Sequence, residues 1–136
     1  MGFTDNFRSQ HDEILAVAGE IMEMLKRPQP DVAGVRKQLS VLAGKVNFHL
    51  AMEDKALYPR LLQRRGTRAE TLAGRFMSEM GGLAQVFTNY NSKWQLSAIR
   101  ADLPGFTGET RKVFGALSHR IARETAELYP VADEAE

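Results

Sequence analysis

The chain contains no cysteine. That excludes disulfide frameworks, thiolate zinc sites, iron–sulfur ligation and cysteine nucleophiles, and leaves histidine and carboxylate as the only side chains able to hold a metal firmly. Charge of one sign is lacking too: 18 Lys and Arg stand against 17 Asp and Glu, for a net charge of +1. This gives no electrostatic case for nucleic acid or an anionic membrane as the main partner. No apolar run reaches the roughly 18 residues that a membrane span needs. The N-terminus, MGFTDNFRSQHDEI, has acidic residues where a signal peptide would need a basic start and an apolar stretch, so the expectation is a cytoplasmic protein. What is present is ordinary for a globular chain, 43% apolar and 26% charged residues. A length of 136 residues predicts one domain, 1–136, with one core. It leaves no room for an attached signalling output domain, so a sensing role would need a separate partner or self-association, such as a homodimer.

Proline and glycine clusters divide the chain at Lys26-Arg27-Pro28-Gln29-Pro30, Arg64-Arg65-Gly66-Thr67 and Ala101-Asp102-Leu103-Pro104-Gly105. Within each of the four segments the apolar residues recur at alternating steps of four and three, the spacing of one helix face. The first row is Phe7, His11, Ile14, Ala18, Ile21 and Leu25; the second is Val35, Leu39, Leu42, Val46, His49, Glu53 and Ala56. The third runs from Ala69 through Ala73, Phe76, Met80, Leu83, Phe87 and Tyr90 to Trp94, interrupted by Gly81-Gly82, and the fourth is Phe114, Leu117, Ile121, Glu124, Leu128 and Val131. Four amphipathic segments with short connections and no strand-like alternation predict an all-α fold, an antiparallel up-down four-helix bundle. Pro59 and Pro130 fall inside the second and fourth patterns and are expected to kink or end their helices.

Polar residues in these rows need a reason, because burying them without partners costs several kcal/mol. In an up-down bundle, residues equally distant from a shared turn lie at one height. His11 and His49 stand at similar distances from the first connection, Glu53 and Glu79-Met80 from the second, and Met80, His119 and Glu124 from the third. All three histidines of the chain and several carboxylates thus fall at a single level, as a metal held between facing helices requires. His49 and Glu53, at i and i+4, share a face. His119 and Glu124 are five apart, about 140° around the helix, so they flank the seam and address different ions or opposite sides of one.

These residues resemble the hemerythrin-like, or HHE cation-binding, family over nearly the whole chain. His11 matches a first-helix histidine, His49-Leu-Ala-Met-Glu53 an H-x-x-x-E motif, and His119-x-x-x-x-Glu124 a last-helix H-x-x-x-x-D/E motif. Leu57-Tyr58-Pro59 strengthens the match and recurs as Leu128-Tyr129-Pro130, 71 residues on, an offset that also carries Glu53 onto Glu124. The resemblance implies a site in which histidines hold two irons and two carboxylates bridge them. The third helix departs from it: Met80 and Ala84 stand where the family usually has histidines. Three outcomes fit that loss. A single ion is held by His11, His49, Glu53 and Glu124 with His119; or two ions bind with Glu79 turned inward; or none binds.

Imidazole and carboxylate without thiolate suit non-haem iron, with zinc or manganese as alternatives, and the resemblance favours iron in a mononuclear or incomplete di-iron site. It implies a protein that binds or senses dioxygen, nitric oxide or iron, more a binding protein than an enzyme. Two other readings stand beside it: a di-iron enzyme of peroxide or nitric oxide stress or of iron–sulfur repair, and a metal-free bundle acting through protein contacts.

Overall fold

A computed structural model of the chain describes residues 2–135; residues 1 and 136, the two ends of the expected domain, lie outside the described residues. The described residues form helices and no strand. Helix α1 (Asp5–Leu25) is followed by α2 (Val32–Met52), which runs through a π-helical segment (Glu53–Leu57) into α3 (Tyr58–Leu62). The third long segment is α4 (Arg68–Met80) and α5 (Leu83–Lys93), with the short α6 (Leu96–Ala101) leading on. The fourth is α7 (Leu103–Arg123), which passes through a second π-helical segment (Glu124–Leu128) into α8 (Tyr129–Ala135). The predicted four-helix bundle is therefore present, with α1 against α2 and α7, α2 against α5, and α4 against α8. No helix among the described residues is long and apolar enough to cross a membrane.

The helix starts coincide with residues suited to them. Asp31 accepts the Gly34 N–H (3.0 Å), Thr67 the Glu70 N–H (3.2 Å) and Asp102 the Gly105 N–H (3.0 Å), each satisfying a donor that the first turn would leave bare. Gly66, with φ +75°, supplies the left-handed residue that turns the chain between α3 and α4, a conformation with a steric penalty for other residues.

Pro59 and Pro130 do not end their helices. A proline cannot donate to the carbonyl four residues back; here the turn before it widens, so that the Tyr58 N–H bonds the Glu53 carbonyl and the Tyr129 N–H the Glu124 carbonyl, five residues back. The chain inserts one residue in the turn and continues as helix. Both of these segments open on a seam glutamate.

The core is in two parts. One cluster, with Ile14, Val46, Leu83, Leu117 and Ile121, lies toward the first and third connections. The other, with Phe7, Leu57, Phe76 and Leu128, lies toward the second connection and the chain ends. On each long helix the residues between the two clusters fall at one level, and there the buried polar residues His11, His49, Glu53, Arg120 and Glu124 are found.

Gly81 and Gly82 separate α4 from α5. A Cβ at Gly81 would be driven into the Met77 carbonyl oxygen, whereas one at Gly82 would meet nothing within 4 Å. Gly81→Ala should therefore lower stability by about 1–3 kcal/mol, and Gly82→Ala, at a backbone conformation alanine accepts, should raise it by about 0.5–1 kcal/mol. Thermal melts of the two variants check this, and a similar effect from both substitutions would contradict it.

Candidate metal centre

Helix α1 brings His11 to the central layer, α2 brings His49, and the first residues of the two π-helical segments bring Glu53 and Glu124. All four side chains are buried, and each offers a ligand atom within 4.8 Å of the others. His11 Nε2 is 3.2 Å from Glu124 Oε1, and His49 Nε2 is 3.3 Å from Glu53 Oε1 and 4.0 Å from Glu124 Oε1. The imidazole ring centres are 4.6 Å apart.

Neighbours orient these groups. His49 Nδ1 donates to Gln10 Oε1 at 2.6 Å, which turns Nε2 toward the carboxylates. Buried there, His49 Nε2 makes no aligned hydrogen bond and meets the two carboxylates only as a long ion pair. The Tyr58 hydroxyl donates to Glu124 Oε2 at 2.7 Å, and the Tyr129 hydroxyl donates to Glu53 Oε2. Tyr129 has only that one proton, so its oxygen, 2.9 Å from His11 Nε2, can only accept. His11 Nε2 therefore faces two acceptors, the Tyr129 oxygen and Glu124, and carries the proton; Nδ1 accepts from the Thr125 hydroxyl at 2.9 Å. Because a hydroxyl both donates and accepts, Thr125 can also serve the opposite tautomer, the one that would free His11 Nε2 as a ligand.

The fifth buried polar member of the layer is Arg120, 1% exposed. Its Nε donates to Glu124 Oε2 (3.1 Å), its Nη2 to Glu53 Oε1 (3.2 Å) and its Nη1 to the Met80 carbonyl (3.2 Å). The sequence reading missed it, although Leu117, Arg120, Glu124 and Leu128 follow the same three-and-four rhythm as the other seams. It also gave no role to Gln10, Thr125 or the two Leu-Tyr-Pro tyrosines.

Two expected ligands lie elsewhere. His119 is exposed, because five residues before Glu124 is about 140° off its face, while Arg120, four before, lies within about 40° of it. Glu79 is exposed as well, at the end of a regular α4, where it pairs with Arg123; the helix widens at Glu53 and Glu124 and leaves Glu79 outside. Both line a surface groove beside Met80 rather than the buried layer.

The layer's electrostatics divide it. Burial alone would lower the His49 pKa, but the Glu124 and Glu53 carboxylates overcome it and lift the value to about 9. His11 is lowered, by burial and by the neighbouring His49 and Arg120 charges against the pull of Glu124. Glu53 is raised, by burial and the adjacent Glu124. Glu124 is lowered despite burial, because both histidines and Arg120 face it. Burial and the carboxylates push the Tyr58 and Tyr129 hydroxyls upward, which keeps them as donors.

Two imidazoles and two carboxylates, one imidazole nitrogen among them buried without an aligned hydrogen bond, fit a cation of the kind that nitrogen and oxygen donors hold. Without a cation, His49 contributes stability that is complete below its ordinary pKa of 6.5 and lost as the pH rises through about 9. Glu53 acts in the same direction from lower pH, and Glu124 contributes stability that is lost as the pH falls below the usual carboxylate range. The chelated protein should thus melt highest in mildly acidic solution and lose on the order of 3 kcal/mol between pH 6.5 and 9. Melting curves in chelator at pH 5.5, 7 and 9 check this; a melting temperature constant or rising toward pH 9 would contradict it.

The chain's residues 2–132 match the family model described as the hemerythrin HHE cation-binding domain. Neither curated proteins nor solved structures give a match. A match over nearly the whole chain, together with a buried His and Glu cluster between bundle helices, places this chain in the hemerythrin HHE cation-binding domain family.

Proposed function

We propose that this protein binds non-haem iron through His11, His49, Glu53 and Glu124 and uses it to bind or sense dioxygen, nitric oxide or iron in the cytoplasm. The carrying observation is the buried Nε2 of His49, directed at two carboxylates without an aligned hydrogen bond to either. Imidazole and carboxylate donors with no thiolate suit iron, manganese and zinc, and among these the family resemblance favours iron. Bound iron would supply reversible coordination of small diatomic ligands and a change of oxidation state.

The chain's own residues do the rest. Gln10 fixes the His49 ring, Thr125 accommodates either tautomer of His11, and Tyr58 and Tyr129 hold one oxygen of each carboxylate. A groove of about 630 Å³ between α1 and α7, lined by His11, Leu15, Ile121 and Thr125 among others, supports access for a small ligand from this side. The third helix adds no side-chain ligand, and this favours binding or sensing over the di-iron enzyme. A sensing role would be read out by a separate partner or by a second copy of the chain.

Protein purified from iron-supplemented cells should contain stoichiometric iron and change its absorbance on exposure to dioxygen or nitric oxide. His49→Ala should lose that iron while keeping its helicity by circular dichroism. Unaltered metal content in the variant would refute the assignment of His49, and a wild-type protein that takes up zinc or manganese in preference to iron would refute the choice of metal.

A further inference from the structure

We infer that Arg120 is a built-in cation standing where a second metal ion would have to sit, and that it limits the cluster to one divalent cation. The inference rests on the cation-binding reading above and adds its stoichiometry. The histidines approach the two glutamates from α1 and α2, whereas Arg120 approaches them from α7 and reaches across to the Met80 carbonyl at the end of α4. Its guanidinium is planar and permanently charged, and here it bonds an oxygen of each glutamate at once. The position between the carboxylates on the side of the third helix is therefore filled by nitrogen atoms.

Nothing on that side invites a further ion. Met80 presents its carbonyl to Arg120, the next two residues are glycines, and Asp54 Oδ1 is itself 3.8 Å from Arg120 Nη2. Glu79 and Glu127 are both paired with Arg123. The charge count agrees. With neutral histidines, two ionised glutamates and Arg120 sum to −1, and one divalent cation brings the layer to +1. A second would bring it to +3 inside an apolar bundle, with only the exposed Asp54 carboxylate close by to offset it.

The test uses manganese(II) as the probe, titrated into the metal-free full chain, with bound metal per chain measured after gel filtration and low-temperature electron paramagnetic resonance to tell isolated ions from coupled pairs. Wild type should saturate at one equivalent with an isolated-ion spectrum. Arg120→Lys, which keeps the charge, should also stop at one. Arg120→Met, which leaves the metal as the only fixed cation beside both glutamates, should bind the first manganese(II) at least tenfold more tightly. Two equivalents or a coupled-pair spectrum in wild type or Arg120→Lys would overturn the inference and leave the cation-binding reading standing, as would unchanged affinity in a folded Arg120→Met. No uptake by wild type at any concentration would withdraw both. If Arg120→Met fails to fold, the wild-type and Arg120→Lys stoichiometries decide.

Discussion

Glu53 and Glu124, two carboxylates fully withdrawn from solvent at mid-bundle, have to be neutralised from within, and the central layer is organised around that requirement. Removing an ionised carboxylate from water costs several kcal/mol unless charges and hydrogen bonds inside replace the solvent. Here Arg120 supplies a forked pair of donors, Tyr58 and Tyr129 supply one donor each, and the histidines occupy the remaining directions. Helices two and four are thereby joined across the core by groups that no apolar substitution could replace without leaving a partner exposed to the same cost. The two apolar clusters on either side close the layer to water, which strengthens each of these interactions.

The repeated Glu-x-x-x-Leu-Tyr-Pro sequence makes this cross-linking reciprocal. In a regular helix, a tyrosine five residues after a glutamate would be rotated about 140° from it. Each proline removes the N–H that would have closed a normal turn, the turn widens, and the phase of the following helix is set back. Tyr58 then donates to the glutamate of the fourth helix and Tyr129 to that of the second. The proline that might have broken each helix is thus part of what positions a proton donor over the opposite carboxylate.

The bundle was legible because its evidence is redundant: six to eight seam residues in each segment repeat one period, and a single misplaced residue does not disturb it. His11, His49, Glu53 and Glu124 were legible for the same reason, as polar residues in rows otherwise apolar. The choice between His119 and Arg120 depended on one residue of helical phase, and histidine chemistry drew attention to the wrong side of the seam. Glu79 failed for a related reason, since its inward turn needed a distortion that the chain makes at other positions. The π-helical segments themselves have a sequence cause in Pro59 and Pro130, but a proline in a helix fits a kink, a stop or a widened turn equally well. Only the packing of the residues around each tyrosine selects among these.

The metal-free layer is well neutralised but not fully satisfied, and this asymmetry bears on function. Arg120, Glu53, Glu124 and both tyrosines have their partners, whereas His49 Nε2 lies close to two carboxylates without a hydrogen bond to either. If the layer served only to hold helices together, it would bury a charged His49 for carboxylates that its Nε2 meets only at 3.3 and 4.0 Å without an aligned hydrogen bond, a desolvation cost poorly offset at the best-packed level of the bundle. A divalent cation removes the cost by using the nitrogen as a lone-pair donor, and any ligand that favours the folded state in this way stabilises it in proportion to its occupancy. Because the donors come from helices one, two and four, that stabilisation is distributed over the bundle rather than confined to one helix. A change in the charge or occupancy of the layer would alter the packing of three helices together, which is the physical link a sensor needs between a small bound species and a change in shape.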